Sequence, residues 1–233
     1  RVREGISAGL FARMLQEAGA HRVVTVDIHN EAIAGMFDPA RCRLENVHLC
    51  HRLARWIEAR GLHGDTVAAP DVGGMERARQ YAAELSSSLV GLSKERDYSA
   101  VNRVHRSTLI GDVSGRDILL VDDIVDTAGS VTAAVDELKR AGARNVTIAC
   151  AHPVFSGPAL ARMQAIADRA AAENWRFVVV GSTSVLHAKA PEWYRAFPIS
   201  PLLADVIGRI NGRGSVTGVQ QADDLEGSDA CAV

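Results

Sequence analysis

Lysine is scarce in this sequence: Lys94, Lys139 and Lys189 are the only three among 26 basic residues, and the rest are arginine. A basic excess is also lacking, because 28 Asp and Glu bring the formal net charge to −2. No surplus of positive charge exists to displace counterions from a polyanion, so nucleic acid is not an expected partner. Cysteine is thin and scattered at Cys42, Cys50, Cys150 and Cys231. No C-x-x-C and no His/Cys group at zinc spacing occurs. Neither a disulfide framework nor a zinc site is expected, and a reducing, cytoplasmic compartment is the default. No run of ~18 apolar residues is present, so no membrane-spanning helix is expected. Repeats of solenoid period are lacking, and so are the G-x-x-x-x-G-K, G-x-G-x-x-G, H-E-x-x-H and G-x-S-x-G signatures. An initiator Met and a charged-then-apolar leader are missing ahead of Arg1, so the chain reads as a fragment rather than a processed secretory protein. What remains is ordinary globular composition, 47% hydrophobic and 23% charged, in a chain long enough for a sizeable core.

Helical and strand patterns alternate along it. Residues 6–19 carry Ile6, Leu10, Phe11, Met14 and Leu15 at helical spacing. Residues 22–28 (RVVTVDI) read as a buried strand. Helices are expected over 49–60 and 75–88, and short strands over 66–69 and 89–92. The charged segment 93–106 lacks an apolar period and reads as a loop or frayed hairpin. Strands are expected at 107–111 and 117–122, a helix over 130–141 closed by Gly142, and a strand over 145–151. A helix over 159–172, a strand over 177–181 and a last helix over 200–210 follow. Short apolar strands alternating with helices predict a parallel sheet covered on both faces. The polar, Gly-rich tail is expected to be disordered, most of all after Gln220.

The densest chemistry lies in Ile118–Ser130, ILLVDDIVDTAGS. A buried strand ends in Asp122 and Asp123, and Asp126-Thr127-Ala128-Gly129-Ser130 then opens a helix. Ligands of open α/β sheets bind beyond the carboxyl ends of strands. A small-residue turn at a helix N-terminus offers unpaired N–H groups in a field that favours an anion. The turn 126–130 is therefore suited to cradle a phosphate. Asp122 and Asp123 are badly placed for a phosphate, but well placed to accept from sugar hydroxyls or approach a hydrated metal ion.

This segment resembles the phosphoribosyl-pyrophosphate signature of the type I phosphoribosyltransferase fold. Four further segments resemble, among proteins of that fold, the ribose-phosphate diphosphokinases. Thr25–His29 (TVDIH) with Gly35–Asp38 (GMFD) is similar to their metal-binding strand and loop. Pro70–Arg77 (PDVGGMER) is similar to their pyrophosphate loop, with Glu76 where the family usually has Lys or Arg. Ser93–Arg106 (SKERDYSAVNRVHR) is similar to their catalytic loop, Lys94 and Arg96 matching a Lys-x-Arg pair. Ala151–Ala159 (AHPVFSGPA) is similar to a T-H-G-x-F-S-x-x-A segment, with Pro153 where Gly is common. The resemblance covers roughly residues 3–217.

It implies transfer of the diphosphoryl group of ATP to ribose 5-phosphate, giving phosphoribosyl pyrophosphate and AMP, with Mg2+ as cofactor and nucleotide biosynthesis as the setting. Lys94 and Arg96 would be catalytic. Arg96, Asp122, Asp123 and the turn Asp126, Thr127, Ala128, Gly129, Ser130 would bind ribose 5-phosphate. Gly73, Gly74 and Arg77 would bind the pyrophosphate of ATP, and His29 and Asp71 would contact the metal. The implied architecture is a type I phosphoribosyltransferase-like parallel sheet flanked by helices. Residues 1–45 would be the remnant of a first such domain and 46–200 a complete second one. A C-terminal helix and return segment over 201–217 and a disordered tail over 218–233 would complete the chain. Strand 22–28 is then expected to expose a sheet edge, and the isolated chain to turn over little ATP. At full length the resemblance implies a homo-oligomer, a hexamer. Two alternatives stay open: a phosphoribosyltransferase, for which no base-reading hood segment is found, and a non-catalytic regulatory homologue.

Overall fold

The computed structural model describes residues 7–95, 106–212 and 214–220. The chain divides into two compact units, Arg1–Leu49 and Cys50–Val233.

In the first unit, helix α1 (Ser7–Glu17) leads to strand β1 (Arg22–Val26), a 3-10 helix (Glu31–Met36) and strand β2 (Arg43–Val47). β1 and β2 pair in parallel, from Arg22 opposite Arg43 to Val26 opposite Val47. Ala12, Phe37 and Cys42 form a small core with Leu15, Val23 and Leu44 packed on it. The helical period of α1 is as expected, but its apolar face is not all buried. Leu10, Phe11 and Met14 are 56%, 62% and 58% exposed. β2 does not stand out in the sequence. Its five residues, RLENV, lack a continuous apolar run, and a short strand with a single neighbour needs none.

The second unit runs α2 (Cys50–Ala59), β3 (Thr66–Ala69), a 3-10 turn (Val72–Gly74), α3 (Met75–Glu84), β4 (Ser88–Glu95), β5 (Arg106–Ile110), β6 (Asp117–Ile124) and α4 (Gly129–Arg140). It continues through β7 (Asn145–His152), α5 (Ala159–Ala172), β8 (Phe177–Ser182), β9 (Tyr194–Phe197), α6 (Ser200–Asn211) and α7 (Thr217–Gln220). Seven strands form one sheet in the order β5-β4-β3-β6-β7-β8-β9. Every pairing is parallel except β4 with β5. That antiparallel edge is the hairpin that brackets the charged segment, of which residues 96–105 lie outside the described residues. β9, a four-residue edge strand, also has too little length to show a period.

Consecutive burial along β3, β7 and β8 is the signature of a sheet covered on both faces. Ile118 and Leu120 of β6, Ile148 of β7 and Val179 of β8 pack with Val131, Val135 and Leu138 of α4 and Met163 and Ile166 of α5. Lys139 and Arg140 occupy the last turn of α4, where cations suit the helix dipole. Gly142 follows with φ of +91°, the left-handed conformation that ends a helix cheaply only at glycine. Residues 217–220, expected to belong largely to the polar tail, form α7. The buried Arg52 of α2 donates to the Val219 carbonyl there at 2.9 Å.

Candidate functional site

The strand order fixes where a ligand can sit. From β3 the chain steps outward to β4 and β5, then returns to place β6 on the other side of β3. The sheet order therefore reverses between β3 and β6, and the loops leaving their carboxyl ends diverge to opposite faces. Such a switch point opens a crevice. The β3 loop is Pro70–Arg77 and the β6 loop leads into Asp126–Ser130, so the two glycine-containing segments singled out in the sequence flank it.

On the β3 side, Asp71 caps the 3-10 turn, its Oδ1 accepting from the Gly74 amide at 3.0 Å. A Cβ at Gly74 would come within 3.3 Å of Pro70 Cδ, and one at Gly73 within 3.3 Å of Asp71 Oδ1, so side chains there would crowd the cap. Arg77, on the first turn of α3, approaches Asp123 Oδ2 at 3.7 Å. Glu76 instead pairs with Arg79 at 2.6 Å on the exposed face. That hydrogen bond holds the Glu76 carboxyl below its ordinary range. Its departure from the basic residue expected there is thus offset locally.

On the β6 side, the acids lie within the strand rather than beyond it. Asp122 Oδ1 accepts from the Asp123 amide at 2.9 Å, and Asp123 Oδ1 from the Ile124 amide at 2.8 Å. Asp123 is buried. Burial, the adjoining Asp123 carboxylate and the negative charge of Asp71 together push the Asp122 carboxyl up to about 7. Three acids thus converge at the switch point, with Arg77 facing one of them. Cys150, opposite Asp122 in β7, has its thiol pushed far up by burial and by the same two aspartates. It is inert as a nucleophile.

The turn after β6 is held from behind. The Phe155 amide donates to the Val125 carbonyl at 3.0 Å and the Ser156 amide to the Asp126 carbonyl at 2.9 Å. Arg162 Nη1 donates to the Thr127 carbonyl at 2.8 Å. Ala128 adopts φ of +62° and precedes α4 without a side-chain cap. Asp126, Thr127, Gly129 and Ser130 are exposed. An uncapped helix start presents first-turn amides to whatever anion arrives. The segment 151–159 is similar in sequence to a family segment but carries no role on that ground alone. Its role as a brace for the turn is a tertiary property, and Arg162 gives no sequence signal of its own.

Lys94 lies in β4 with Ser107 opposite in β5, and Arg96 is outside the described residues. His29 belongs to the first unit. It follows Ile28, whose amide donates to Asn46 Oδ1 at 3.1 Å, and precedes Asn30, which caps the 3-10 helix through the Ala32 amide. Asp27 is buried with φ of +39°. Among the described residues no three His, Cys, Asp or Glu side chains make a metal cage. Mg2+ needs none, since it binds through one or two carboxylates plus water and substrate phosphates. The oxygen donors of Asp71, and the surplus negative charge that raises Asp122, fit such a cation.

The fold and crevice define a type I phosphoribosyltransferase-like α/β unit. The family model of the phosphoribosyl transferase domain matches residues 43–191, and the chain belongs to that family. It is 38% identical over 227 residues to a ribose-phosphate pyrophosphokinase of Corynebacterium efficiens, covering 96% of this chain and 66% of the relative. It is 35% identical over 217 residues to that of Bacillus subtilis, covering 93% of this chain and 65% of the relative. In structure it resembles the phosphoribosylpyrophosphate synthetase of Mycobacterium smegmatis, with TM-score 0.76, 31% identity, and coverage of 91% of this chain and 66% of that one. The chain thus spans slightly under two thirds of the length of these relatives.

Proposed function

We propose that this chain carries the ribose-phosphate half of a ribose-phosphate diphosphokinase, which transfers the diphosphoryl group of ATP to ribose 5-phosphate. One observation carries the reading. At the switch point, a carboxylate-bearing strand end runs directly into an uncapped helix start, opposite a glycine loop that bears Arg77. Sugar hydroxyls need acceptors, a sugar phosphate needs amide donors, and a polyphosphate needs open backbone and positive charge. All three sets are supplied on adjacent strands.

In the proposed reaction, the turn Asp126–Ser130 holds the 5-phosphate through backbone amides and the Thr127 and Ser130 hydroxyls. Asp122 and Asp123 accept from the ribose hydroxyls and so orient the 1-oxygen. Gly73, Gly74 and Arg77 hold the β- and γ-phosphates. The 1-oxygen attacks the β-phosphorus in line. The O1–Pβ bond forms, the bond from Pβ to the α,β-bridging oxygen breaks, AMP leaves with that oxygen, and the 1-hydroxyl proton passes to solvent. Lys94 and Arg96 stabilise the charge that develops on the transferring group. Asp71 would contact Mg2+, which would neutralise phosphate charge when bound, and His29, in the first unit, keeps the metal-contact role that the resemblance implies for it. No covalent intermediate on the protein is needed, so its work is positioning and electrostatics. A homo-oligomer and a cytoplasmic setting belong to the same reading.

The test is product analysis with the full-length protein. AMP and phosphoribosyl pyrophosphate should appear together, only when ATP, Mg2+ and ribose 5-phosphate are all present. Pyrophosphate release from phosphoribosyl pyrophosphate and a purine base, without ATP, would instead identify a phosphoribosyltransferase.

A further inference from the structure

We infer that Arg162 is a positioning residue for the sugar-phosphate site: its guanidinium fixes the Thr127–Ala128 peptide so that the Ala128 amide faces the bound phosphate. The inference rests on the reading of residues 126–130 as a phosphate cradle.

Three successive carbonyls of the loop are fastened on one side. Those of Val125 and Asp126 accept from the backbone amides of Phe155 and Ser156, at 3.0 and 2.9 Å. The third, that of Thr127, accepts from a side chain, Arg162 Nη1, at 2.8 Å. In a trans peptide the carbonyl and the following N–H point in opposite directions. Fastening the Thr127 carbonyl to α5 therefore turns the Ala128 N–H the other way, towards the open helix start. The orientation needs outside support, because Ala128 sits at φ of +62°, where a residue with a Cβ gives up about 1 kcal/mol. A peptide flip would relieve that strain and aim a carbonyl, rather than an amide, at the anion.

Gly129 supplies a second, independent sign of the arrangement. A Cβ there would lie 3.3 Å from Arg162 Nη1, so the missing side chain leaves the guanidinium its path to Thr127. Phe155, which helps present the brace, itself has φ of +51°. The strand-end loop and the segment before α5 are thus mutually shaped, and Arg162 is the only side chain among the three donors described.

The experiment uses the full-length protein and Arg162→Ala, Arg162→Gln and Arg162→Lys. For Arg162→Ala, KM for ribose 5-phosphate should rise about tenfold, the size of one charge-assisted hydrogen bond. kcat and KM for ATP should stay near the parent values. Gln keeps a donor without charge, so Arg162→Gln should recover at least part of the loss. In 1H–15N spectra, the Ala128 amide of the parent should move downfield on addition of ribose 5-phosphate, and this shift should vanish in Arg162→Ala. A KM within twofold of the parent together with an unchanged Ala128 shift would overturn the inference. Recovery by Lys but not by Gln would also overturn it, since charge acting directly on the phosphate would then explain the loss. Should Arg162→Ala not fold, the Gln and Lys pair decides alone. Calorimetry on the parent separates the two levels. No heat with ribose 5-phosphate removes the cradle reading itself, whereas normal binding in all variants removes only the role of Arg162.

Discussion

Arg77 Nη2 lies 3.7 Å from Asp123 Oδ2, joining the loop after β3 to the end of β6 across the switch point. Both side chains are largely shielded from water, and Asp122 and Asp71 add further negative charge nearby. Among the described residues, Arg77 thus places a positive charge against the acid cluster.

Arg77→Met should raise KM for ATP about tenfold or more and lower stability by ~1–3 kcal/mol, since losing the guanidinium takes a positive charge away from the buried Asp123 carboxylate. Denaturant titration alongside steady-state kinetics reads both effects. Unchanged stability would mean the pair is only a contact of shape.

The raised Asp122 carboxyl predicts an unusual pH profile. Its folded value of about 7 stands above its ordinary 3.8, so between those limits the folded chain holds a proton that the unfolded chain has lost. Stability contributed at this site should fall as pH rises through that window and level off above it, the sign being opposite to that of a salt-bridged acid. Asp122→Asn should therefore stabilise the protein by a few kcal/mol at pH 8, change it little at pH 4, and weaken ribose 5-phosphate binding at both. Thermal melts of parent and variant at the two pH values test this. An equal difference at both would refute it.

Ala128 occupies the left-handed region at φ of +62°. Ala128→Gly should stabilise the fold by up to ~1 kcal/mol. Ala128→Val should destabilise it by more, a β-branched side chain being worse suited there. Chemical denaturation of the three proteins gives the order directly, and Val equal to Ala would show that the turn relaxes freely.

Lys94→Ala should cost ~2–4 kcal/mol of transition-state stabilisation, read as a fall in kcat/KM with KM for ribose 5-phosphate little changed. Activity within twofold of the parent would mean that this strand-borne lysine is not catalytic.

Much of the site is legible in the sequence because it is local. ILLVDDIVDTAGS announces a strand, two acids and a small-residue helix start within thirteen consecutive residues, and β6, the turn and α4 follow in that order. PDVGGMER is equally local, its glycines and Asp71 making one capped turn. What escapes is what depends on distant partners. β2 and β9 are too short to carry a period. The exposure of Leu10, Phe11 and Met14 on α1 cannot be told from burial by spacing, because periodicity names a face without naming what covers it. The antiparallel course of β5 depends on its partner. The carbonyls of Val125, Asp126 and Thr127 are satisfied from about thirty residues downstream, and no pattern within the turn itself requires that.

Thr66 stands opposite Ile118 and Ala68 opposite Leu120 in the pairing of β3 with β6. If one strand slid by a single residue, the two loops would move past each other by ~3.3 Å, and every side chain of that strand would change faces. In-line transfer between ligands held on separate loops tolerates misplacement of only about 1 Å. The apolar residues Ile118–Val121 are thus a ruler as well as a core: by forbidding the slip, they set the separation between the two loops.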